Sequence, residues 1–358
     1  MNTKTIVFTG GGTAGHVTPN LALISAMKPD GWHMHYIGSQ AGIEKAMIEP
    51  LGISFHAIAS GKLRRYFSLQ NFLDPFKIII GIIQSFFLFR KIKPQVVFSK
   101  GGFVAFPVVV GAWLHRIPVI AHESDISPGL ANRLSFPFVT KICLTFDAAQ
   151  KHFKNQQKTL VTGTPIREQL FLGSKARGLA LCGFNEDKPC LLVIGGSLGA
   201  GSINQSIRSA LDTLRQQYQV IHLCGKGKRD ESLANMAGYC QFEYANEELA
   251  DLLACATVVV SRSGANSLYE LLALGKPHVL IPLSAKVSRG DQVQNARYMQ
   301  QLGISVVIQD EQLTPKTLLT ALQEVVVRKQ EIEQKINELH IKSATDKIVT
   351  LIKEYACV

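Results

Sequence analysis

The sequence holds no Asp-x-Asp pair and no grouping of His, Asp and Glu at metal-ligand spacing. That absence argues against chemistry in which a divalent cation bridges a nucleotide diphosphate to the protein. Cys-x-x-Cys is absent too: the seven cysteines, at 143, 182, 190, 224, 240, 255 and 357, lack zinc-type or disulfide-framework spacing and read as buried thiols of a reducing compartment. The longest apolar stretch, Ile78 to Phe89, is broken by Gln84 and falls short of the roughly 20 residues that cross a bilayer. Met1-Asn2-Thr3-Lys4 passes straight into a β-type run without the basic, apolar and cleavage regions of a secretory signal, so the cytoplasm is the expected location. Low-complexity tracts and short-period repeats are also missing.

What the chain does have is length and apolar content. Its 358 residues, 46% apolar and 18% charged, describe two ordinary globular domains with sizeable cores. The excess of 38 Lys and Arg over 27 Asp and Glu, a formal charge of +11, favours anionic lipid or nucleic acid without choosing between them. Short β-type runs at 5–9, 33–38, 96–99, 118–122, 191–195, 220–224, 258–261 and 278–282 alternate with helical patterns. Such alternation predicts an α/β protein of doubly wound parallel sheets covered by helices. A boundary is expected at Val161-Thr162-Gly163-Thr164-Pro165, giving domains over 1–162 and 163–337. The charged tail from Arg328 keeps helical spacing at Ile332, Ile336, Leu339, Ile348, Leu351 and Ile352, and is expected to end the fold as helices.

Two glycine-rich loops of one design lie in the two halves. Gly10-Gly11-Gly12-Thr13-Ala14-Gly15-His16 follows the run 5–9, and Gly195-Gly196-Ser197-Leu198-Gly199-Ala200 follows 191–194. Each stands between a strand and a helix, where glycines admit a ligand close to the backbone and unpaired helix N–H groups suit phosphate. The first satisfies the dinucleotide pattern Gly-x-Gly-x-x-Gly, but its second strand ends in Ile37-Gly38-Ser39-Gln40, without the carboxylate that holds a ribose hydroxyl, which disfavours a nicotinamide dehydrogenase. His16 at the helix start suits a general base; a structural imidazole is the plain alternative. Lys100-Gly101-Gly102-Phe103 and His122-Glu123-Ser124-Asp125 should share the carboxyl edge of the first sheet. Glu123 and Asp125 can orient a base or a sugar hydroxyl, and Asp125 can equally be an N-cap. In the second half, Glu270 sits one turn into a helix after Ser261-Arg262-Ser263-Gly264, as an acceptor for a vicinal diol or as a capping or surface group. Arg289-Gly290-Asp291-Gln292 offers partners for sugar hydroxyls or plain surface polarity. With no metal, leaving-group charge would fall to helix N-termini, the second loop and a cation such as Arg167.

Phe76, Ile79, Ile80, Ile83, Phe86 and Phe87 recur at helical spacing between Lys77 and Arg90-Lys91. They fit a crossover helix packed on a parallel sheet, the reading preferred here, or a helix lying on a membrane. Leu63, Arg64, Arg65, Tyr66 and Phe67, with Lys62, form the most lipid-suited basic and apolar cluster, or a solvated loop.

Taken in order, Gly11-Gly12-Thr13-Ala14-Gly15-His16-x-x-Pro19, Lys100-Gly101-Gly102-Phe103, His122-Glu123, Gly163-x-Pro165-x-Arg167, Gly195-Gly196-Ser197-x-Gly199-Ala200 and Arg262-Ser263-Gly264 resemble the MurG family of bacterial N-acetylglucosamine transferases from Ile6 to about Gly303. The resemblance implies a GT-B fold of two Rossmann-like domains facing across a cleft. The first would bind acceptor and membrane, with a final helix at about 338–358 returning to it, and the second would bind the donor. It also implies inverting, metal-independent and cofactor-free transfer from UDP-N-acetylglucosamine to the C4 hydroxyl of the muramoyl sugar of lipid I, giving lipid II for peptidoglycan. By the same resemblance His16 and Glu123 are catalytic. Gly12, Thr13, Ala14, Gly101, Gly102 and Phe103 hold the acceptor. Thr13, Gly15, Asp125, Arg167, Ser197, Ala245, Arg262, Ser263, Glu270, Asp291 and Gln292 hold the donor. Expected partners are UDP-GlcNAc, lipid I, an anionic membrane on its cytoplasmic face and further cell-wall synthesis proteins, with no nucleic acid. Ala14 stands where the family often has Gly, Asp125 where it often has Asn, and Asp291 where it often has Gln; at the last two a carboxylate in place of an amide removes donor capacity. A diacylglycerol glycosyltransferase, a UDP-sugar epimerase and a silent nucleotide-sugar-binding protein are the alternatives.

Overall fold

The computed structural model describes residues 4–61, 70–196 and 199–357. The chain divides into two compact units, Met1–Ile166 with Ser343–Val358, and Arg167–Lys342. The crossings thus fall a few residues beyond the boundaries expected at 162/163 and 337/338.

The first unit carries seven parallel strands: β1 (Thr5–Thr9), β2 (His33–Ser39), β3 (Ser54–Ile58), β4 (Val96–Ser99), β5 (Val119–Glu123), β6 (Lys141–Leu144) and β7 (Thr159–Val161), in the order β3-β2-β1-β4-β5-β6-β7. Alternation along β1 builds its two cores. Ile6 and Phe8 point to one face with Tyr36, Phe98, Ile348 and Ile352, and Val7 points to the other with Ile37, Val97, Val108 and Phe89. Because helices cover both faces, β4 and β5 are buried at every residue, as their continuous apolar runs require. The terminal helix Thr345–Tyr355 belongs to this unit and lays Ile348, Val349, Leu351 and Ile352 into the first core. Of the tail residues expected to be apolar contacts, only Leu339 stays largely exposed.

The second unit carries six parallel strands: β8 (Cys190–Ile194), β9 (Gln219–Leu223), β10 (Tyr239–Phe242), β11 (Ala256–Ser261), β12 (His278–Leu280) and β13 (Val306–Val307), in the order β10-β9-β8-β11-β12-β13. In each sheet the chain starts at a central strand, winds to one edge, and then crosses back to build the other side. The strand order therefore reverses once, between β1 and β4 and between β8 and β11.

One helix departs from the preferred sequence expectation. The helix Gln70–Ile92 does cross over the first sheet, but through Gly81, Ser85 and Phe89, which pack against the helix Ala105–Leu114 or the core beneath. Gly81 and Gly111 make that close approach possible, since a methyl group at Gly81 would meet Ala59 O and the Pro107 ring and one at Gly111 would meet Ser85. Phe76, Ile79, Ile80, Ile83 and Phe87 form the opposite stripe, and each is 47–65% exposed. Only Phe86 of the expected set is partly buried, stacked against His115 at 4.3 Å between ring centroids. No helix among the described residues is long and apolar enough to cross a membrane.

Replacing Ile348, which is fully buried, by Ala should destabilise the first unit by about 2–5 kcal/mol. Leu339→Ala, at a position 40% exposed, should change stability by less than about 1 kcal/mol. Urea unfolding of both variants checks the pair.

Candidate functional site

In the first unit the ends of β1 and β4 meet at the reversal point, and each runs into a glycine loop. Lys100 N–H donates to Thr9 O at 2.9 Å, and Gly11 N–H donates to Gly101 O at 3.3 Å. Gly12, Gly101 and Gly102 have φ of +88°, +96° and +88°, a region that a side chain would strain. A methyl group on Gly102 would also strike Gly11 O, so the close approach of the two loops there requires glycine. Thr13 leads into the short turn Ala14–His16 and then the helix Thr18–Met27, with Pro19 in its first turn. His16 Nδ1 lies 3.1 Å from Thr13 Oγ1. When Nδ1 carries the proton, Thr13 accepts it and Nε2 keeps the lone pair that a base needs.

Sequence reasoning missed one acidic group here. Glu44, in the helix Glu44–Ile48 that follows β2, is fully buried. Its Oε1 accepts from Ser39 N at 2.8 Å and Ser39 Oγ at 2.5 Å, and its Oε2 accepts from Gly12 N at 3.3 Å. The carboxylate sought at the end of β2 thus reaches back from five residues further on, beyond where a ribose-binding acid is looked for. Three glycines make room for it: a methyl on Gly11, Gly38 or Gly42 would collide with its carboxylate or stem.

Glu123, the other expected catalytic group, is only 3% exposed. Its Oε1 accepts from Asp125 N at 3.0 Å, and its Oε2 accepts from Gly129 N at 3.2 Å and Asn132 Nδ2 at 2.8 Å. A carboxylate so fully engaged orders the 124–129 segment and, through Asn132, the wall behind Gly101. Beside it Lys100, also buried, donates to Ser124 Oγ at 2.8 Å. His122 donates from Nε2 to Gly163 O at 2.9 Å, and burial together with the Lys100 charge pushes its pKa well below the usual 6.5, so it stays neutral. Asp125 and Phe103 are partly exposed on the same edge.

The second unit repeats the plan. β8 runs into Gly195-Gly196, and Gly199 precedes the helix Gly201–Ser209; Gly199 N–H closes onto Gly196 O at 2.9 Å. Arg262 N–H reaches Ile194 O at 3.4 Å across the reversal point. The Arg262 guanidinium turns inward, to Ile281 O (3.0 Å), Asp310 Oδ1 (2.8 Å) and Ser202 Oγ (3.0 Å). Ser263, fully buried, donates to Gln292 O at 2.8 Å. Both residues were expected against the donor; the bonds described for their side chains run within the protein. Gln292 gives its amide oxygen to Leu283 N at 3.0 Å, and Asp291 pairs with Arg289 at 3.3 Å at the start of the helix Asp291–Gln301. Ala245 is buried in the turn after β10.

Glu270 is different. It lies in the helix Ala265–Ala273 that leaves the end of β11, and no described group hydrogen-bonds to its carboxylate. Burial pushes its pKa up to about 7, against a partial lowering by the Arg167 charge. Arg167 in turn keeps a buried Nε without a partner. An unpaired, half-buried acid beside an incompletely paired cation, at the carboxyl edge of a parallel sheet, is the arrangement a bound ligand completes. Ser197 and the cluster Leu63, Arg64, Arg65, Tyr66 and Phe67 lie outside the described residues, and no candidate metal site occurs among those described.

Two Rossmann-like domains, each with a glycine loop at its reversal point, are the architecture of the GT-B fold. The chain belongs to glycosyltransferase family 28, and within it to the MurG family that its motifs resemble: residues 6–144 match the family's N-terminal domain and residues 190–351 its C-terminal domain. It is 73% identical over 351 residues to the UDP-N-acetylglucosamine–N-acetylmuramyl-(pentapeptide) pyrophosphoryl-undecaprenol N-acetylglucosamine transferase of Legionella pneumophila (strain Lens), covering 98% of this chain and 97% of that one. It is 53% identical over 352 residues to the enzyme of the same name from Clostridium kluyveri, with 98% and 99% covered. The crystal structure of Acinetobacter baumannii MurG shares the fold, with a TM-score of 0.76 at 24% identity over 98% of this chain and 99% of that one.

The raised Glu270 carboxyl has a consequence for stability. Because the folded state holds this proton more tightly than the ordinary value of 4.5, its contribution is complete below about pH 4.5 and is lost as pH rises through about 7. Glu270→Gln lacks that loss. Its stability relative to the parent should therefore improve between pH 5 and pH 8, by up to about 3 kcal/mol, in paired urea titrations.

Proposed function

We propose that this enzyme transfers N-acetylglucosamine from UDP-N-acetylglucosamine to the C4 hydroxyl of the muramoyl sugar of undecaprenyl-pyrophosphoryl-MurNAc-pentapeptide, with inversion, to give the β-1,4-linked lipid II. The observation that carries the reading is the pair of reversal-point glycine loops in a chain matched end to end by relatives bearing that transferase name. The second unit, Arg167–Lys342, takes the donor. The Glu270 carboxylate accepts from the two ribose hydroxyls, Ala245 offers backbone to the uracil, and Asp291 and Gln292 face the sugar hydroxyls. Arg167 and the loop containing Ser197 meet the charge on the departing diphosphate, as helix N-termini and guanidinium groups do in a metal-free site. Arg262, Ser263 and Asp125 support these groups.

The first unit takes the acceptor. Its C4 hydroxyl gives a proton to His16 Nε2 as the hydroxyl oxygen bonds to the anomeric carbon. The bond from that carbon to the UDP oxygen breaks on the opposite face, and UDP leaves with the electron pair. Thr13 holds the imidazole tautomer through Nδ1 and, with the loop amides, receives the acceptor diphosphate. Gly101, Gly102 and Phe103 form the facing wall. Glu123 acts through the segment it ties together rather than on substrate.

The acceptor's polyprenyl chain lies in a bilayer, so the enzyme must work at the membrane surface on the side that supplies UDP-sugar. The exposed stripe Phe76, Ile79, Ile80, Ile83 and Phe87, flanked by Lys77, Arg90 and Lys91, has the form of an interfacial helix, and the basic cluster 62–67 precedes it in the chain.

Incubation with radiolabelled UDP-N-acetylglucosamine and a lipid I analogue should put label into the lipid product, and chelator should not stop it; no label with a competent acceptor overturns the assignment. His16→Ala should lower kcat by on the order of 10²–10⁴-fold while UDP affinity stays unchanged in calorimetry. UDP affinity should weaken as pH falls through about 7, and Glu270→Gln should abolish that dependence. Changing Phe76, Ile80 and Phe87 together to Ser should lower binding to vesicles with anionic lipid by at least about tenfold.

A further inference from the structure

We propose that Glu44 is a positioning residue of the acceptor loop, fixing which backbone amides receive the acceptor diphosphate; the proposal rests on the reading of the first unit given above. A buried carboxylate directly behind a loop that binds an anion is electrostatically unfavourable for that anion, so its place there calls for a compensating task. The hydrogen bonds supply one. Gly11 N–H is taken by Gly101 O and Gly12 N–H by Glu44 Oε2, so the first two amides after Gly10 are drawn back into the protein. Thr13 and Ala14 N–H have no hydrogen-bond partner among the described residues. They sit beyond Gly12, whose φ of +88° turns the chain outward, and Thr13 is the residue that also touches His16.

Glu44 thereby moves the anion-binding amides from the base of the glycine loop to its tip, next to the imidazole. A nucleotide pyrophosphate settling at the base, as in a dinucleotide-binding domain, would meet an amide already bonded and a negative charge behind it. The acceptor diphosphate at the tip lies farther from that charge and within reach of the Thr13 side chain. The clearance left by Gly11, Gly38 and Gly42 around this one carboxylate shows how closely the local chain is built to admit it.

The two oxygens have separable tasks, and that makes the test specific. Oε1 secures the end of β2 through Ser39, whereas Oε2 holds Gly12. Glu44→Gln keeps volume and leaves an oxygen for Ser39, but its NH2 then confronts Gly12 N–H, so the loop is released while the strand end stays tied. Ser39→Ala removes one bond to Oε1 and leaves the Gly12 bond in place. In steady-state assays of the full chain with a soluble lipid I analogue, E44Q should raise the acceptor KM by about 10- to 100-fold, with the UDP-N-acetylglucosamine KM and the thermal midpoint little changed. S39A should leave the acceptor KM within about twofold. Equal effects of the two variants, or equal effects on acceptor and donor KM, would mean that Glu44 only maintains the fold and would overturn the proposal, as would an unchanged acceptor KM in E44Q. Should E44Q fail to fold, Gly42→Ala, which crowds the carboxylate from outside the loop, should raise acceptor KM selectively; a normal acceptor KM there counts against the proposal. An inactive parent protein would instead sink the transferase assignment.

Discussion

Both domains depend on what happens where a parallel sheet reverses its strand order. At that point two neighbouring strands send their chains to opposite faces, and the last backbone hydrogen bond between them leaves a crevice at the carboxyl edge. Here the closing bonds are Gly11 N–H to Gly101 O and Arg262 N–H to Ile194 O. Glycine is required on both sides of the first, because a Cβ on Gly11 would hit the Glu44 carboxylate and one on Gly101 would hit the Asn132 amide.

Around these crevices, polar groups fall into two kinds, and the difference is one of completed bonding. The side chains of Glu123, Arg262 and Ser263 are engaged by bonds within the protein that tie neighbouring loops together. Glu270, the Arg167 Nε and the amides of Thr13 and Ala14 lack them. Leaving buried or half-buried polar groups incomplete costs stability, and these lie on the carboxyl edges, where the proposed ligands would restore the missing bonds. Glu44 belongs to the first kind by bonding and to the second by place, which is why its effect is expected on substrate rather than on the fold.

The helix Gln70–Ile92 shows a limit of periodicity as a signal. Its apolar residues recur at helical spacing, and that much fixes a helix with an apolar stripe. Which stripe faces the sheet was decided by Gly81 and Ser85, small residues that let the helix Ala105–Leu114 approach, so the bulkier Phe76, Ile79, Ile80, Ile83 and Phe87 were left outside. The strands tell a related story. β1, β2, β4, β5, β8, β9, β11 and β12 stand out as β-type runs, while β3, β6, β10 and β13 do not: β13 has two residues, and β3 (Ser-Phe-His-Ala-Ile) and β10 (Tyr-Cys-Gln-Phe) mix polar with apolar residues at an edge where one neighbour is missing.

The sequence by itself determined the α/β class, the pair of glycine loops, the position of His16 after the first and of Glu270 after β11, and the family, because these depend on local residue order: strand, glycine turn, helix start. Only the tertiary structure decided which polar residues are spent internally. Glu44 lies 32 positions from Gly12 and meets it only because β2 pairs with β1 in register. Arg262 meets Asp310 48 residues away because β12 and β13 extend the sheet beside β11. Residue type names what a side chain can bond, but whether that capacity is already used depends on long-range neighbours that no local pattern records.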